Sequence, residues 1–302
     1  MALNLPRVAV LLAAYNGARW IEEQIASILA QRGVEVVVYI SVDPSTDGTF
    51  GLCQKLALKD DRIVVLPDVG ERFGGAAKNF FRLIKDVDFR DFDYVSYADQ
   101  DDIYLEGKYR AAHEKITVLD CAAYSSNVTA YWPDGRKLLV VKSQPQRKYD
   151  FLFEAGGPGC SYVLRVSDAL EFKRFLIENW HAAYNVGLHD WLTYAWFRSL
   201  EKVWYIDETS YILYRQHGGN QIGANDGLAG IKSRLKLLKS GWYRDEISKI
   251  SSLVAHNVPG LPMSLIEKGV LPKLYLIANF NEFRRSPRDR FAFGALAFLG
   301  LI

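Results

Sequence analysis

Val8-Ala9-Val10-Leu11-Leu12-Ala13-Ala14-Tyr15-Asn16-Gly17 is the stretch that decides the fold. Seven apolar residues in a row run straight into a turn signal, so the segment reads as a buried strand rather than as a signal peptide behind Arg7. A strand apolar on both faces belongs in a parallel sheet covered by helices on either side.

Reading outward, the next stretches obey that expectation. Arg19 to Gln31 sets Ile21, Ile25, Ile28 and Leu29 on one helical face, and Gly33 follows as a stop. Val34 to Ile40 is a second strand, rich in β-branched residues. Asp43-Pro44-Ser45-Thr46-Asp47-Gly48 is a turn cluster, Thr49 to Leu58 a helix, and Arg62 to Leu66 a third strand. Gly74 and Gly75 open a helix that runs through Lys85, and Asp93 to Ala98 is a fourth strand. Strands alternating with amphipathic helices specify an α/β fold. After residue 120 the rhythm becomes mixed: Trp132-Pro133-Asp134-Gly135 reads as a hairpin turn, and Gly156-Gly157-Pro158-Gly159 as a tight loop before a strand at Cys160 to Leu164. Beyond about residue 225 the pattern is helical and basic.

Composition narrows the functional classes. At 302 residues, 49% of them hydrophobic, the chain is long enough for one large core or two fused ones. Lys and Arg exceed Asp and Glu by 37 − 35 = 2, a balance that does not indicate a nucleic-acid partner. Cys53, Cys121 and Cys160 are odd in number and widely spaced, so neither a disulfide framework nor a zinc site is indicated, and a reducing, cytoplasmic setting is expected. The 17 Tyr and 7 Trp suit sugar or base stacking and a packed core equally.

Ligands of open α/β sheets bind at the carboxyl ends of strands. Three such ends carry polar clusters here: Tyr15-Asn16, Asp43, and Asp99-Gln100-Asp101-Asp102. Three carboxylates packed beside a buried strand suit a hard divalent cation, Mg²⁺ or Mn²⁺, whose coordination shell phosphates and water complete. The same residues also suit a solvated turn that caps the following helix. An EF-hand is a poorer match because Ile103 and Arg110 occupy the fifth and twelfth loop positions. No G-x-G-x-x-G follows a strand, and Gly70 to Lys78 only approaches a phosphate loop, with Gly75-Ala76 where Gly-Lys should stand. Two later features offer a general base and a further metal contact: Leu188-His189-Asp190-Trp191 and Tyr214-Arg215-Gln216-His217-Gly218-Gly219-Asn220. Taken singly, Asp190 also reads as the N-cap of a helix starting at Trp191, and His217 as an exposed turn histidine.

Taken in order across residues 8 to 225, these motifs resemble the family 2 glycosyltransferases. Val10 to Gly17 is similar to that family's opening strand and turn, and Ser41-Val42-Asp43 with Ser45 to Thr49 to its nucleotide loop. Tyr97 to Asp102 resembles its D-x-D metal motif, Leu188 to Trp191 its catalytic-base segment, and Tyr214 to His217 its late histidine motif. The Gln-Asp-Asp, His-Asp-Trp and Tyr-Arg-Gln-His wording most resembles bacterial rhamnosyltransferases of cell-wall polysaccharide or O-antigen synthesis. One departure stands out: Pro44 occupies a position where the family usually has Asp, which removes an amide donor and fixes φ.

The resemblance implies a GT-A (Rossmann-like) mixed sheet flanked by helices over residues 1–225, and a helical, basic C-terminal region with an apolar tail over 226–302. It implies a nucleotide pocket formed by Ala14, Tyr15, Asn16, Asp43, Asp99 and Gln100, with Asp43 on the pyrimidine. Asp101 and His217 would hold Mg²⁺ or Mn²⁺, Arg215 would assist at the donor pyrophosphate, and Asp190 would be the catalytic base of an inverting displacement. Gly157, in the acceptor-side loop, and Trp191, as a sugar platform, would face the acceptor. The donor implied is dTDP-L-rhamnose, with a UDP-sugar as the alternative, and the acceptor is a lipid-linked glycan. Arg284, Arg285, Arg288 and Arg290 precede the apolar run Phe291 to Ile302, which is too short to span a bilayer that needs ~20 apolar residues. It suits peripheral contact with the inner face of the membrane or docking on the protein core. Two rival readings remain at this level: a metal-independent glycoside hydrolase using two carboxylates, and a non-catalytic nucleotide-sugar binding module.

Overall fold

The computed structural model describes residues 5–217, 240–258 and 270–298. The expected strands and helices of the first hundred residues are present within two residues of their expected ends. They are β1 (Arg7–Ala14), α1 (Ile21–Leu29), β2 (Glu35–Val42), α2 (Thr49–Ala57), β3 (Ile63–Val65), α3 (Ala76–Asp86) and β4 (Tyr94–Asp99). Helix α1 buries Ile21, Gln24, Ile25 and Ile28, the stripe its spacing specifies.

Then come β5 (Ile103–Tyr104), α4 (Lys108–Val118), β6 (Ala123–Ser126), β7 (Val128–Tyr131), β8 (Lys137–Val140), β9 (Val163–Arg165), α5 (Val166–Glu178), α6 (Trp180–Ala183), α7 (His189–Ser199), β10 (Trp204–Asp207) and β11 (Ile212–Arg215). The main sheet has strand order β10-β6-β9-β4-β1-β2-β3. Its β3-β2-β1-β4 half is parallel, and β9 enters antiparallel between β4 and β6, so the sheet is mixed as expected. A smaller sheet, β5-β11-β7-β8, stands beside it. Its β7–β8 hairpin turns at Trp132 to Gly135, closed by the Gly135 amide on the Trp132 carbonyl at 2.9 Å. The expected strand at Cys160 instead begins as a single 3-10 turn, Gly159–Ser161, and only Val163 onward joins the sheet.

Alternate residues of β1 point into two cores. Val8, Val10, Leu12 and Ala14 pack with α1, α2 and α4, while Ala9, Leu11 and Ala13 face α3, α5 and α7. The second core continues into α8 (Trp242–Val254), α9 (Val270–Ala278) and α10 (Pro287–Phe298) through Ile247, Ile250, Leu276, Phe283 and Phe293. The boundary expected at residue 225, the glycines after His217 and the last residues of the apolar tail, 299–302, lie outside the described residues.

The basic cluster before the tail requires a correction. Arg285 is 1% exposed, with its guanidinium on Asp150 at 3.1 Å, on Glu154 at 3.5 Å and on the Ala155 carbonyl at 2.6 Å. Arg284 donates to the Phe153 carbonyl at 2.8 Å. A buried guanidinium needs carboxylates and carbonyls around it, and these two arginines have them in the protein interior rather than at a lipid surface. Phe293 and Ala297 dock α10 on the core, whereas Phe291 and Phe298 are 71% and 68% exposed. Among the described residues no helix is long and apolar enough to cross a membrane.

Candidate active site

The ends of β1, β2 and β4 meet at one edge of the sheet because the register aligns them: Ala13 lies opposite both Ser41 and Asp99. The loops that follow are laced together by side chains. Asn16, at φ 47°, accepts the Thr46 amide at 2.9 Å, and its own amide donates to Ser45 Oγ at 3.0 Å. Asp47 caps α2 through the Thr49 amide at 3.0 Å, and Thr49 Oγ1 accepts the Gly17 amide at 2.8 Å. The Asp43 amide closes on the Ala14 carbonyl at 2.8 Å. Asn79, on α3, donates to the Ser41 carbonyl at 2.9 Å and the Ala14 carbonyl at 3.4 Å, tying β1 to β2 from below.

Several residues expected to contact nucleotide have partners within the protein. Asp43 is 3% exposed, and its carboxylate accepts the Phe73 amide at 2.8 Å and the Gly74 amide at 3.2 Å rather than lying open for a base. Gln100 forms two bonds of 2.8 Å with the main chain of Tyr15, one donated and one accepted. Its carboxamide thus holds the pocket wall in place, and a Cβ on Gly17 would meet Gln100 Oε1 at 2.0 Å and displace it from those bonds. Tyr15 is exposed, stacks under the Arg72 guanidinium at 4.6 Å and accepts a bond from it at 2.6 Å. Arg72, Phe73 and Gly74 were missed by sequence reasoning, since nothing in a polar stretch before α3 marks a loop folding back over β1 and β2.

The acidic motif divides by depth. Asp99 ends β4, and burial, then the charges of Asp101 and Asp190, push its carboxyl up to about 8. Asp102, fully buried, is raised for the same first reason, and it accepts the Arg215 amide at 3.1 Å. Asp101 Oδ2 sits 2.7 Å from His217 Nε2, and the imidazole is stacked on Trp20 at 4.2 Å. An imidazole and a carboxylate converging beside a second carboxyl fit Mg²⁺ or Mn²⁺. A deeper group, Asp99, Asp102 and Cys160, has its ligand atoms within 4.8 Å of one another. Burial drives the Cys160 thiol well up, so it stays protonated and is a poor ligand for a hard ion. That group supports the loop from beneath.

Arg215, expected at the donor pyrophosphate, also makes contacts within the protein. Its Nε donates to the Asp101 carbonyl at 2.7 Å and its Nη2 to Glu23 Oε2 on α1 at 2.6 Å. It is a latch that fixes β11, and with it His217, against the acidic loop and α1. Glu23 gave no signal in the sequence beyond its place in the first turn of α1.

Across the cleft, Asp190 stands in the first turn of α7 rather than at its N-cap, which is Leu188. Burial pushes its carboxyl up to about 6, against the pull of the Trp191 amide and the Lys142 charge. His189 beside it is stacked on Phe80 at 3.8 Å, and burial drives its imidazole down to about 3, so it is neutral. Gly156 to Gly159 passes against these residues. A Cβ at Gly159 would lie 2.6 Å from His189 Nε2 and 3.3 Å from Asp190 Cβ, and one at Gly156 would lie 2.7 Å from the Tyr194 ring. Gly157 adopts φ +142° in the same loop. Glycine is required here for close approach. Trp191, expected as a sugar platform, is 3% exposed, donates Nε1 to the Phe151 carbonyl at 2.9 Å and stacks on Tyr243 at 5.5 Å. Its apolar ring is core, so no ring face is open to a sugar.

A mixed sheet of this order, with an acidic motif ending β4 and a carboxylate facing it from α7, defines a glycosyltransferase of GT-A architecture. The S. aureus TarS 1–349 fragment matches it with TM-scores of 0.53 in complex with UDP-GlcNAc and 0.55 in complex with UDP, over 97% of this chain and 87% of that one, at 13% and 12% identity. The chain belongs to the family described as glycosyltransferase like family 2, whose model matches residues 6–174. It is 43% identical over 280 residues to the dTDP-rhamnosyl transferase RfbG of Shigella flexneri, covering 92% of this chain and 96% of that protein. It is also 29% identical over 160 residues to the putative teichuronic acid biosynthesis glycosyltransferase TuaG of Bacillus subtilis, over 53% of this chain. Family membership sets the hydrolase reading aside.

Proposed function

We propose that this glycosyltransferase moves L-rhamnose from dTDP-L-rhamnose to a hydroxyl of a growing, lipid-linked bacterial polysaccharide, in one displacement that inverts the anomeric carbon. The observation that carries the donor is the 43% identity to a dTDP-rhamnosyl transferase over nearly the whole of both chains.

The donor nucleotide would lie over the carboxyl ends of β1, β2 and β4, between Ala14 to Asn16 and the Asp43 loop. Asp43 would exchange its bonds to Phe73 and Gly74 for one to the pyrimidine as that loop moves. Asp99 would lie by the ribose, and Asp101 and His217 would hold Mg²⁺ or Mn²⁺. That cation, when bound, stabilises the charge that grows on the departing diphosphate.

Asp190 would take the proton from the acceptor hydroxyl as its oxygen attacks C1. Burial raises its affinity for that proton, which makes it a better base than an exposed aspartate at about pKa 4 while leaving it ionised near neutral pH. The neutral His189 ring and the close-packed Gly159 limit the freedom of Asp190, whose carboxylate would face the acceptor. A lipid-linked acceptor places the work on the cytoplasmic face of the membrane. The exposed side of α10, with Arg288, Phe291 and Phe298, would rest there as a peripheral contact.

The experiment is a melting-temperature panel of dTDP, UDP and GDP, each with Mn²⁺, Mg²⁺ or EDTA, followed by turnover of dTDP-rhamnose by the wild type and by Asp190→Asn. A metal-dependent shift selective for dTDP is expected, with turnover by Asp190→Asn reduced on the order of 10²- to 10⁴-fold and dTDP affinity retained. A preference for UDP would move the donor, and normal turnover by Asp190→Asn would remove the base.

A further inference from the structure

We propose that Trp20 is a positioning residue of the metal site: its indole is the seat against which the His217 imidazole is held, so that Nε2 meets the cation beside Asp101. The inference rests on the reading of Asp101 and His217 as the cation's ligands and extends it to the residue behind the histidine.

Local structure does not account for a tryptophan at this position. Trp20 is the N-cap of α1, a place that Ser, Thr, Asp and Asn fill best because their oxygens accept a free amide of the first turn, and the indole makes no such bond. Nor is it a core residue. Among the described residues the indole joins neither of the two apolar clusters that flank the sheet, although Trp191, Trp196 and Trp204 all lie in one of them. A large apolar ring that caps poorly and packs in no core departs from what the local fold favours, and such departures concentrate at functional sites.

The ring instead meets the metal site. It lies on His217 with centroids 4.2 Å apart and planes inclined by 19°, and the Arg19 guanidinium lies over it at 5.5 Å. Face-to-face contact leaves the edge of the imidazole clear while opposing rotation about its Cβ–Cγ bond, which would drive that edge into the indole. The edge carries Nε2, 2.7 Å from Asp101 Oδ2. The indole is itself firmly mounted: the Trp20 amide donates to the Gly17 carbonyl at 2.9 Å, and its carbonyl accepts the Gln24 amide at 3.1 Å. Three residues further on, Glu23 takes the Arg215 guanidinium at 2.6 Å. The first turn of α1 thus grips the end of β11 twice, at Arg215 and at His217. Ligand histidines depend on such partners behind them, and losing one costs about 10- to 100-fold in metal affinity.

The test is Mn²⁺ binding to the full chain, read from the spin-resonance signal of the free ion, with and without saturating dTDP. Trp20→Ser supplies a residue that an N-cap prefers, so the metal-free melting temperature is expected to hold while Mn²⁺ affinity falls about tenfold. Trp20→Phe keeps a stacking face and should stay within about threefold of the wild type. Trp20→Ser combined with His217→Ala should bind no more weakly than His217→Ala alone, because the indole acts through the imidazole. Trp180→Leu removes a half-buried indole from α6 and should bind as the wild type does. Wild-type affinity in Trp20→Ser overturns the proposal, and so do losses that add in the double variant. An affinity lost equally in Trp20→Phe, with a lowered metal-free melting temperature, also overturns it by marking the indole as packing. A wild type that binds no Mn²⁺ in either state, or a His217→Ala that binds it fully, refutes the metal reading itself and the inference with it.

Discussion

Replacing Arg285 with Met should destabilise the protein severely, although it lies in a stretch that reads as a basic surface leading to a tail. The guanidinium is the largest fully buried side chain among the described residues, and it faces Asp150, whose side chain is 0% exposed, and Glu154, at 10%. Breaking a buried pair by removing one partner costs ~3–5 kcal/mol, because the remaining charge is left without compensation. Here the loss is partly covered: Asp150 keeps Arg198 at 3.3 Å and the Tyr194 hydroxyl at 3.0 Å, and Glu154 keeps Arg284 and the residue-285 amide. A net loss of about 2–4 kcal/mol follows, or roughly 3–6 °C in melting temperature for a chain of this size. Urea unfolding of Arg285→Met, Asp150→Leu and the double variant measures it. The double variant should recover at least about 1 kcal/mol of the summed losses, since no charge is then stranded. A loss within ~0.5 kcal/mol, the ordinary range for a surface substitution, would refute the interior assignment and return Arg285 to the basic surface.

Three further outcomes follow from the site. Because burial raises the folded-state pKa of Asp190 to about 6, turnover should fall as pH drops through about 6 and the base becomes protonated, and a rate profile with its acid limb near 4 would contradict the buried environment. Gly159→Ala places a methyl 2.6 Å from His189 Nε2, so it should cost about 1–3 kcal/mol of stability by overpacking and displace Asp190, lowering kcat with little effect on dTDP affinity; wild-type kcat would show that the loop gives way freely. Gln100→Leu removes both bonds to the Tyr15 main chain and should weaken dTDP binding about tenfold while leaving metal-free stability within about 1 kcal/mol, as read by calorimetry; unchanged affinity would mean that the Tyr15 wall needs no such support.

The difference between what the sequence showed and what it hid is physical. β1 to β4 were legible because a strand buried on both faces must be apolar throughout, and the turns after them must be polar and glycine-rich, whatever the rest of the chain does. The positions of Asp99, Asp101, Asp190 and His217 were legible for the same reason: they sit at element ends that local pattern defines. Direction was not legible. Trp191 lies one residue after Asp190, yet helical geometry turns it about 100° away into the core against Tyr243. Arg215 lies two residues before His217, yet its guanidinium reaches back to Glu23, 192 positions earlier in the chain. Such pairings depend on tertiary contacts that no local spacing encodes, and Arg72 was missed because its partner Tyr15 comes from another loop.

The surroundings of the proposed base also tie the C-terminal helices to the candidate site. Asp190, Tyr194 and Arg198 are spaced four apart on α7 and so share one face. The first is the proposed base. Tyr194 donates to Asp150 at 3.0 Å and bonds Arg198 at 2.7 Å, and Arg285 joins both Asp150 and the Ala155 carbonyl, one residue before the glycine loop begins. The helix carrying the base and the loop against which it packs are thus fixed by one buried ion-pair group, and the residue closing that group comes from the C-terminal region. Loops alone would leave a base mobile by more than the fraction of an ångström that proton transfer tolerates. A buried ion-pair network in low dielectric is stiff, since any displacement weakens its pairing. Substitutions at Arg285 that spare the fold should therefore register in transfer to the acceptor before they register in dTDP binding, because the nucleotide loops are tied separately, by Asn79, Gln100 and Thr49, on the other side of the sheet edge.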